Sequence, residues 1–153
     1  MPGIDKDIAQ HYIPTREGHK PVKQKLQRLR LKWAQLIKED IEKQIKAKFL
    51  EVVGYLKWFA NVVPVHKKDG KVRICVDYMD LNKTCPKDDF PLPHIDVLID
   101  NATACAMYSY IDGFLGYNQI LMAIIDIAKT AFITEYGTYC YRAMTFGLKN
   151  VTY

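Results

Sequence analysis

Tyr108-Ser-Tyr-Ile-Asp-Gly-Phe-Leu-Gly-Tyr-Asn-Gln119 is the stretch that decides how this chain is read. The run from Met107 to Ile111 is strand-like and delivers a carboxylate, Asp112, at its end. Gly113 and Gly116 then let the chain turn sharply, because a residue without a Cβ reaches backbone angles closed to the others. Tyr117 follows five residues after the acid. Taken alone, an aspartate that closes a β run is an ordinary cap or turn residue. Its neighbours give it a different weight.

Upstream stands Ala60-Asn-Val-Val-Pro-Val-His-Lys-Lys-Asp-Gly-Lys-Val-Arg-Ile-Cys-Val-Asp-Tyr-Met-Asp-Leu-Asn-Lys83. In it Val72, Ile74 and Val76 alternate with Lys71, Arg73 and Cys75, which predicts a hairpin of Asn61 to His66 and Lys71 to Asp77 around a Lys-Asp-Gly turn. Pro64 lacks an N–H and argues for an edge strand. Next come Pro86-Lys-Asp-Asp-Phe-Pro-Leu-Pro-His-Ile-Asp96, then, beyond Asp112, Lys129-Thr-Ala-Phe-Ile-Thr-Glu-Tyr-Gly-Thr-Tyr-Cys-Tyr-Arg142 and Phe146-Gly-Leu-Lys-Asn150.

Together these segments resemble the reverse transcriptase of long-terminal-repeat retrotransposons, most closely the gypsy/Ty3-like plant elements. The resemblance runs over nearly the whole chain, including Met1-Pro-Gly-Ile-Asp5. It implies an α+β fold, the fingers and partial palm of a right-hand polymerase. On that reading residues 1–32 are an extended basic leader and 33–92 a fingers-like helix and β-hairpin. Residues 93–119 are a partial palm with the first catalytic motif, and 120–153 return to fingers-like strands. The implied activity is RNA-directed DNA synthesis from deoxynucleotides on an RNA template and DNA primer. Asp112 then binds magnesium with help from the Gly113 carbonyl, since a hard cation prefers oxygen ligands. Tyr117 is similar to the family's sugar gate, an aromatic ring that leaves no room for a ribose 2′-hydroxyl. Lys67 or Lys68, with Arg73, would hold the triphosphate, and Phe146 and Gly147 would pack under the nucleotide. The residues alone leave the two lysines undistinguished.

The family's second pair of aspartates, in a Tyr-x-Asp-Asp hairpin, has no counterpart between Asp112 and Tyr153; Asp88-Asp89 precedes the first motif. The expected fold is therefore truncated before the second catalytic motif, and this chain alone is expected to be inactive. The alternative is a non-catalytic nucleic-acid-binding or interaction remnant, open to self-association or to pairing with the missing polymerase portions. Departures from the family pattern are Met79 for the usual Arg, Leu115 for a small residue, Ile124-Ile125 for Pro-Glu, and Thr145 for Pro.

Composition sets the outer bounds. A chain of 153 residues with 49% hydrophobic content can form a sizeable core. No apolar run nears the roughly 18 residues of a membrane span, and Met-Pro-Gly-Ile-Asp is no signal core. The expected location is intracellular, cytoplasmic or nuclear. Cys75, Cys85, Cys105 and Cys140 contain no C-x-x-C pair, which disfavours zinc, and Cys75 and Cys140 read as buried thiols. The net charge is +5, yet residues 16–48 hold eleven Lys/Arg against four Asp/Glu, a local +7 that leaves −2 elsewhere. Lys23, Lys25, Arg28 and Arg30 are the candidate nucleic-acid contacts in this basic front. With one serine, Ser109, and no G-x-S-x-G, G-x-x-x-x-G-K, H-E-x-x-H or G-x-G-x-x-G pattern, other enzyme classes fit poorly.

Periodicity predicts a helix from Trp33 to Leu50, with Trp33, Ile37, Ile41, Ile45 and Phe49 at every fourth position. Glu39–Lys43 and Glu42–Lys46 are favourably ordered pairs on it. A short helix with Ile95, Leu98 and Ile99 inward is expected after Pro93. Gln119 to Ile125 and Thr130 to Thr134 are further strand candidates, with Tyr136-Gly137 turning into a strand from Thr138 to Met144.

Overall fold

The computed structural model describes residues 3–54, 56–66, 72–86, 94–103, 105–109 and 116–150. Its centre is a five-stranded sheet. In chain order the strands are β2 (Leu50–Val52), β3 (Ala60–His66), β4 (Val72–Val76), β6 (Phe132–Thr134) and β7 (Gly137–Tyr141). The order across the sheet is β2-β7-β6-β3-β4, antiparallel throughout except for a parallel β3–β6 pair. A second, parallel pair joins β1 (Gln10–His11) to β5 (Leu121–Met122). With one long and three short α-helices among the described residues, the α+β reading holds.

The long helix α1 (Leu31–Lys46) buries Ala34, Ile37 and Ile41, the stripe that the four-residue spacing marks. Lys43 and Lys46 in its last turn face the carbonyl end of the helix dipole. The helix stops short of the expected Leu50. Lys48 takes a left-handed conformation at φ +62°, the chain reverses, and Leu50 opens β2 instead, almost fully buried. Phe49 kept the helical spacing by coincidence, one residue before the strand begins.

That core gathers Ile13, Ile37, Ile41, Val62, Tyr78 and Phe132, among others. The Phe132 ring is wholly buried, with the rings of Tyr139 and Tyr141 at 5.7 and 5.5 Å. Burying a side chain of that size contributes about 1.5–3 kcal/mol. Residues before α1 run without a helix, but they are not detached. Ile13 is fully buried, and the backbone at Lys23 bridges Phe59 at the start of β3.

The predicted hairpin forms as β3–β4, with Val62 opposite Val76 and His66 opposite Val72. Pro64 sits in a strand flanked on both sides, contrary to the edge expected. It is tolerated because β6 pairs only with Ala60 and Asn61, so at Pro64 the chain has a ladder partner on one side alone. The second hairpin, β6–β7, pairs Phe132 with Tyr139 around Tyr136-Gly137.

Three further expectations fail. Gln119 to Ile125 is not a strand. It divides into a 3-10 turn (Gly116–Gln119), the two residues of β5, and α4 (Ile124–Ile127). The buried Asp126 dictates this break, since its carboxylate accepts the Ile13 N–H and its own N–H reaches the Ala123 carbonyl. Helix α3 (Ile95–Thr103) forms after α2 (Met79–Thr84), yet it has no inner face among the described residues. Ile95, Leu98 and Ile99 are 69%, 53% and 53% exposed. Residues 107–109 form no strand and Met107 is exposed; Tyr110 to Leu115 lie outside the described residues. No helix among the described residues is long and apolar enough to cross a membrane.

Candidate functional site

The β3–β4 hairpin presents Arg73, Ile74, Cys75 and Val76 along one wall of a cleft of about 460 Å³. The opposite wall is the turn after β7, with Thr145, Phe146 and Gly147. Asp40 and Gln44 of α1, together with Phe49 and Tyr141, line it as well, and Asn118 of the 3-10 turn completes the lining.

Three residues marked in the sequence meet at its rim. The Arg73 guanidinium lies 5.7 Å from the Phe146 ring centre. The Tyr117 ring meets Phe146 edge-on at 4.5 Å and 66°. Such a cation–ring contact is worth about 0.5–1 kcal/mol at an exposed position, and the ring pair about 0.5–1.5 kcal/mol. The stack therefore has preferred geometry while leaving Phe146 57% exposed. Gly147 holds φ +93°, a backbone angle that favours glycine, while a Cβ there would sit in ordinary contact, 3.4 Å from the Val76 carbonyl oxygen.

Asn82 of α2 holds the same turn. Its Nδ2 donates to the Gly147 carbonyl at 2.7 Å, and its Oδ1 accepts the Lys149 N–H at 2.8 Å. Asn82 stands in a motif of the sequence, but its partner is not legible there, because the contact spans 65 residues. Asp112, Gly113, Lys67 and Lys68 lie outside the described residues. Among the described residues no group of three or more His, Cys, Asp or Glu side chains could hold a metal ion.

The basic front forms a second locus that shares none of the cleft's lining. Lys23, Lys25, Arg28 and Arg30 are exposed on a segment bolted to the sheet through Asn61. The Asn61 Nδ2 donates to the Lys25 carbonyl at 2.9 Å and to Gln24 Oε1 at 3.1 Å, while its Oδ1 accepts the Gln27 N–H at 3.0 Å. Gln24 also donates to Asp80 Oδ2 at 3.1 Å. Hydrogen bonds from Lys83 and Gln24 lower the Asp80 pKa. Lys23 lies 5.3 Å from the Phe59 ring centre. Neither Asn61 nor Gln24 stood out in the sequence, since a polar pair this far apart leaves no local pattern.

An ion pair between a half-buried lysine and a buried aspartate anchors the segment further forward. Lys129 Nζ lies 2.7 Å from Asp126 Oδ1 and donates to the Ile13 carbonyl at 2.7 Å. The visible signal was a lone acid in the apolar run Met122 to Ile127. The thiols divide. Cys85 and Cys140 are buried, Cys75 is half-buried, Cys105 is exposed, and all four are free. Burial, with Glu51 nearby, pushes the Cys140 thiol up to about 12, and burial pushes the Tyr141 hydroxyl up to about 12. Both stay neutral at ordinary pH.

No family model matches the chain. It is 36% identical over 93 residues to the Pol polyprotein of transposon 297 from Drosophila melanogaster, 61% of this chain and 9% of that protein. An RNA-directed DNA polymerase homolog of Oenothera berteroana is 37% identical over 79 residues, 52% of this chain and 56% of that one. The Pol polyprotein of transposon 412 from Drosophila melanogaster is 31% identical over 119 residues, 74% of this chain and 10% of the polyprotein. The chain thus spans little more than half of one relative and about a tenth of the others. Among solved structures, native prototype foamy virus protease-reverse transcriptase superposes with a TM-score of 0.68 at 22% identity, over 92% of this chain and 19% of that one. The foamy viral enzyme in complex with an RNA/DNA hybrid gives a TM-score of 0.65 at 19% identity, over 91% of this chain and 18% of that one. The homologues of this chain are retrotransposon Pol polyproteins and RNA-directed DNA polymerase homologues, and its fold is that of part of a reverse-transcriptase polymerase domain.

Proposed function

We propose that this chain is a reverse-transcriptase segment whose cleft receives a deoxynucleoside triphosphate beside a primer and an RNA template, and that these 153 residues by themselves do not complete the reaction. The observation that carries the reading is that Arg73 and the distant pair Phe146 and Gly147 line one cleft, with the Tyr117 ring set against Phe146.

Each group has a physical task. Arg73 offers a planar fork of donors to phosphate oxygens, and charge-assisted bonds of this kind are about twice as strong as neutral ones. Phe146 and Gly147 form a flat, mostly apolar floor for a base or sugar. Tyr117, backed by Phe146, excludes a 2′-hydroxyl by shape. Lys67 or Lys68 adds charge for the triphosphate. Asp112, with the Gly113 carbonyl, is an oxygen ligand set of the kind magnesium takes. Magnesium, when bound, would activate the primer hydroxyl and offset phosphate charge, and two such ions need more carboxylates than Asp112 supplies. The setting is the cytoplasm or nucleus, where template and deoxynucleotides occur. The exposed apolar faces of α3 and of Ile124-Ile125 favour self-association or the remaining polymerase portions as partners.

Binding of a fluorescent deoxynucleotide to the purified chain with a primed RNA template tests the cleft. Arg73→Ala and Phe146→Ala should each weaken it about tenfold, the worth of one good interaction. Equal binding by both variants would remove the cleft from the reading. Primer extension should stay at background; extension that disappears in Asp112→Asn would overturn the proposed incompleteness.

A second reading, a non-catalytic binder of polyanions, rests on Lys23, Lys25, Arg28 and Arg30, exposed together on an anchored segment. It predicts sequence-blind, salt-sensitive association that survives substitution of the cleft residues.

A further inference from the structure

We infer that Asn82 is a positioning residue that sets the Phe146 ring against Tyr117 and so governs discrimination between deoxy- and ribonucleotides. The discrimination rests on the nucleotide reading above; the positioning of the ring does not.

Both polar groups of the Asn82 amide are spent on one turn. One donates to the Gly147 carbonyl and the other accepts the Lys149 N–H, on either side of Leu148. Leu148 itself is buried, which pins the middle of the turn to the core. The helix carrying Asn82 is held in turn. The Asn82 N–H reaches the Tyr78 carbonyl at 2.8 Å, and the Tyr78 hydroxyl donates to the Thr130 carbonyl at 2.8 Å. Gly147 lies beside the Val76 carbonyl and the Tyr78 ring and holds φ +93°, a backbone angle that side chains rarely adopt. The turn therefore has a single seat, fixed from α2 and from the end of β4.

Phe146 needs that seat. With 57% of its surface exposed, burial does not fix its ring. Its neighbours are the Arg73 guanidinium on one side and the Tyr117 ring at 4.5 Å on the other. A gate that rejects a hydroxyl by shape works only while it cannot yield. Phe146 is the surface on which Tyr117 leans, and Asn82 fixes the backbone from which Phe146 projects. Removing the clamp lets the turn relax and gives Tyr117 space to swing aside.

The test uses the full chain with 4-fluorophenylalanine incorporated at position 146. Fluorine resonance reports the ring's surroundings. Competition between labelled deoxy- and ribonucleoside triphosphates on a primed template reports discrimination. Asn82→Ala removes both hydrogen bonds. Asn82→Asp keeps the size and the acceptor for Lys149 but cannot donate to Gly147, and it serves where the alanine variant fails to fold. In a folded variant the resonance should move toward the free amino-acid value. The deoxy-to-ribo affinity ratio should fall about tenfold, the scale on which a weakened shape constraint changes selectivity. An unmoved resonance with an unchanged ratio overturns the inference. If the unsubstituted chain binds neither nucleotide, the reading of the cleft falls, and the resonance alone decides whether Asn82 places the ring.

Discussion

Truncating Asn61 should destabilise the chain and loosen its basic front in one step. Asn61 is 4% exposed, and its side chain satisfies the Lys25 carbonyl, the Gln27 N–H and one side of Gln24 Oε1. In Asn61→Ala the Gln24 oxygen keeps the Asn61 backbone N–H at 2.9 Å, so two backbone groups, at Lys25 and Gln27, are orphaned. An unsatisfied buried group costs about 1–3 kcal/mol, and these are half-buried, so the low end applies to each. The expected destabilisation is about 2–3 kcal/mol, or a melting shift of roughly 5–10 °C for a domain of this size.

Asn61→Asp should be worse, although it keeps the acceptor for Gln27. Its carboxylate would face the Lys25 carbonyl and Gln24 Oε1, two acceptors with nothing to give. Folding therefore raises the carboxyl's pKa, and the variant's stability falls as pH rises through that folded-state value. Below about pH 4, where the unfolded chain also holds the proton, it should recover to at least the level of Asn61→Ala. Thermal and urea melts across pH check both claims. A melting point within about 2 °C of the parent for Asn61→Ala would refute the argument, since two orphaned groups must cost more than that. So would an aspartate variant that is stable at neutral pH.

Lys129→Met should leave the buried Asp126 carboxylate without its cation and destabilise the chain by about 3–5 kcal/mol, read by chemical denaturation. The His11 ring is desolvated, which lowers its pKa despite Asn150 and Asp126 nearby. A depressed folded-state value means that stability present above about pH 6.5 is lost as pH falls through it. Melting curves should decline there, and His11→Gln should flatten the decline. Replacing Lys23, Lys25, Arg28 and Arg30 with glutamine should weaken RNA, DNA and hybrid binding alike. It should also make the log-affinity against log-salt slope shallower by about 0.7–0.9 for each phosphate that the variant no longer neutralises.

The sequence made the two hairpins plain. Val72, Ile74 and Val76 alternate cleanly, and Tyr136-Gly137 is a turn with a mechanism. It also marked Arg73, Tyr117 and Phe146, which the fold brings together. What stayed hidden depended on distance or on the absence of a neighbour. The end of α1 turns on the left-handed Lys48, a conformation no periodicity reports. The apolar stripe of α3 reads as an inner face, and nothing local says whether anything covers it. The leader looks polar and expendable because its one decisive apolar residue, Ile13, is a single position. Asn61, Asn82 and Asp126 each reach a partner at least 34 residues away, beyond any window of pattern.

The shortness of the β3–β6 pairing has a mechanical consequence. Only Ala60 and Asn61 tie β3 to the rest of the sheet, while β3 and β4 continue together over five residue pairs. The hairpin is thus a cantilever clamped at its root, where the Asn61 carbonyl takes the Asp77 N–H at 2.9 Å. Pro64 keeps its open side from recruiting another strand, while Ile74 packs against the core and Arg73 reaches the Phe146 ring. At about 3.3 Å per residue the beam is roughly 16 Å long, and a tilt of about 10° at the root carries its end through about 3 Å. Arg73 rides near that end, opposite Val65. A movement of that size separates a made hydrogen bond from a broken one, so the stiffness of the root, together with the Phe146 contact, sets the reach of the guanidinium.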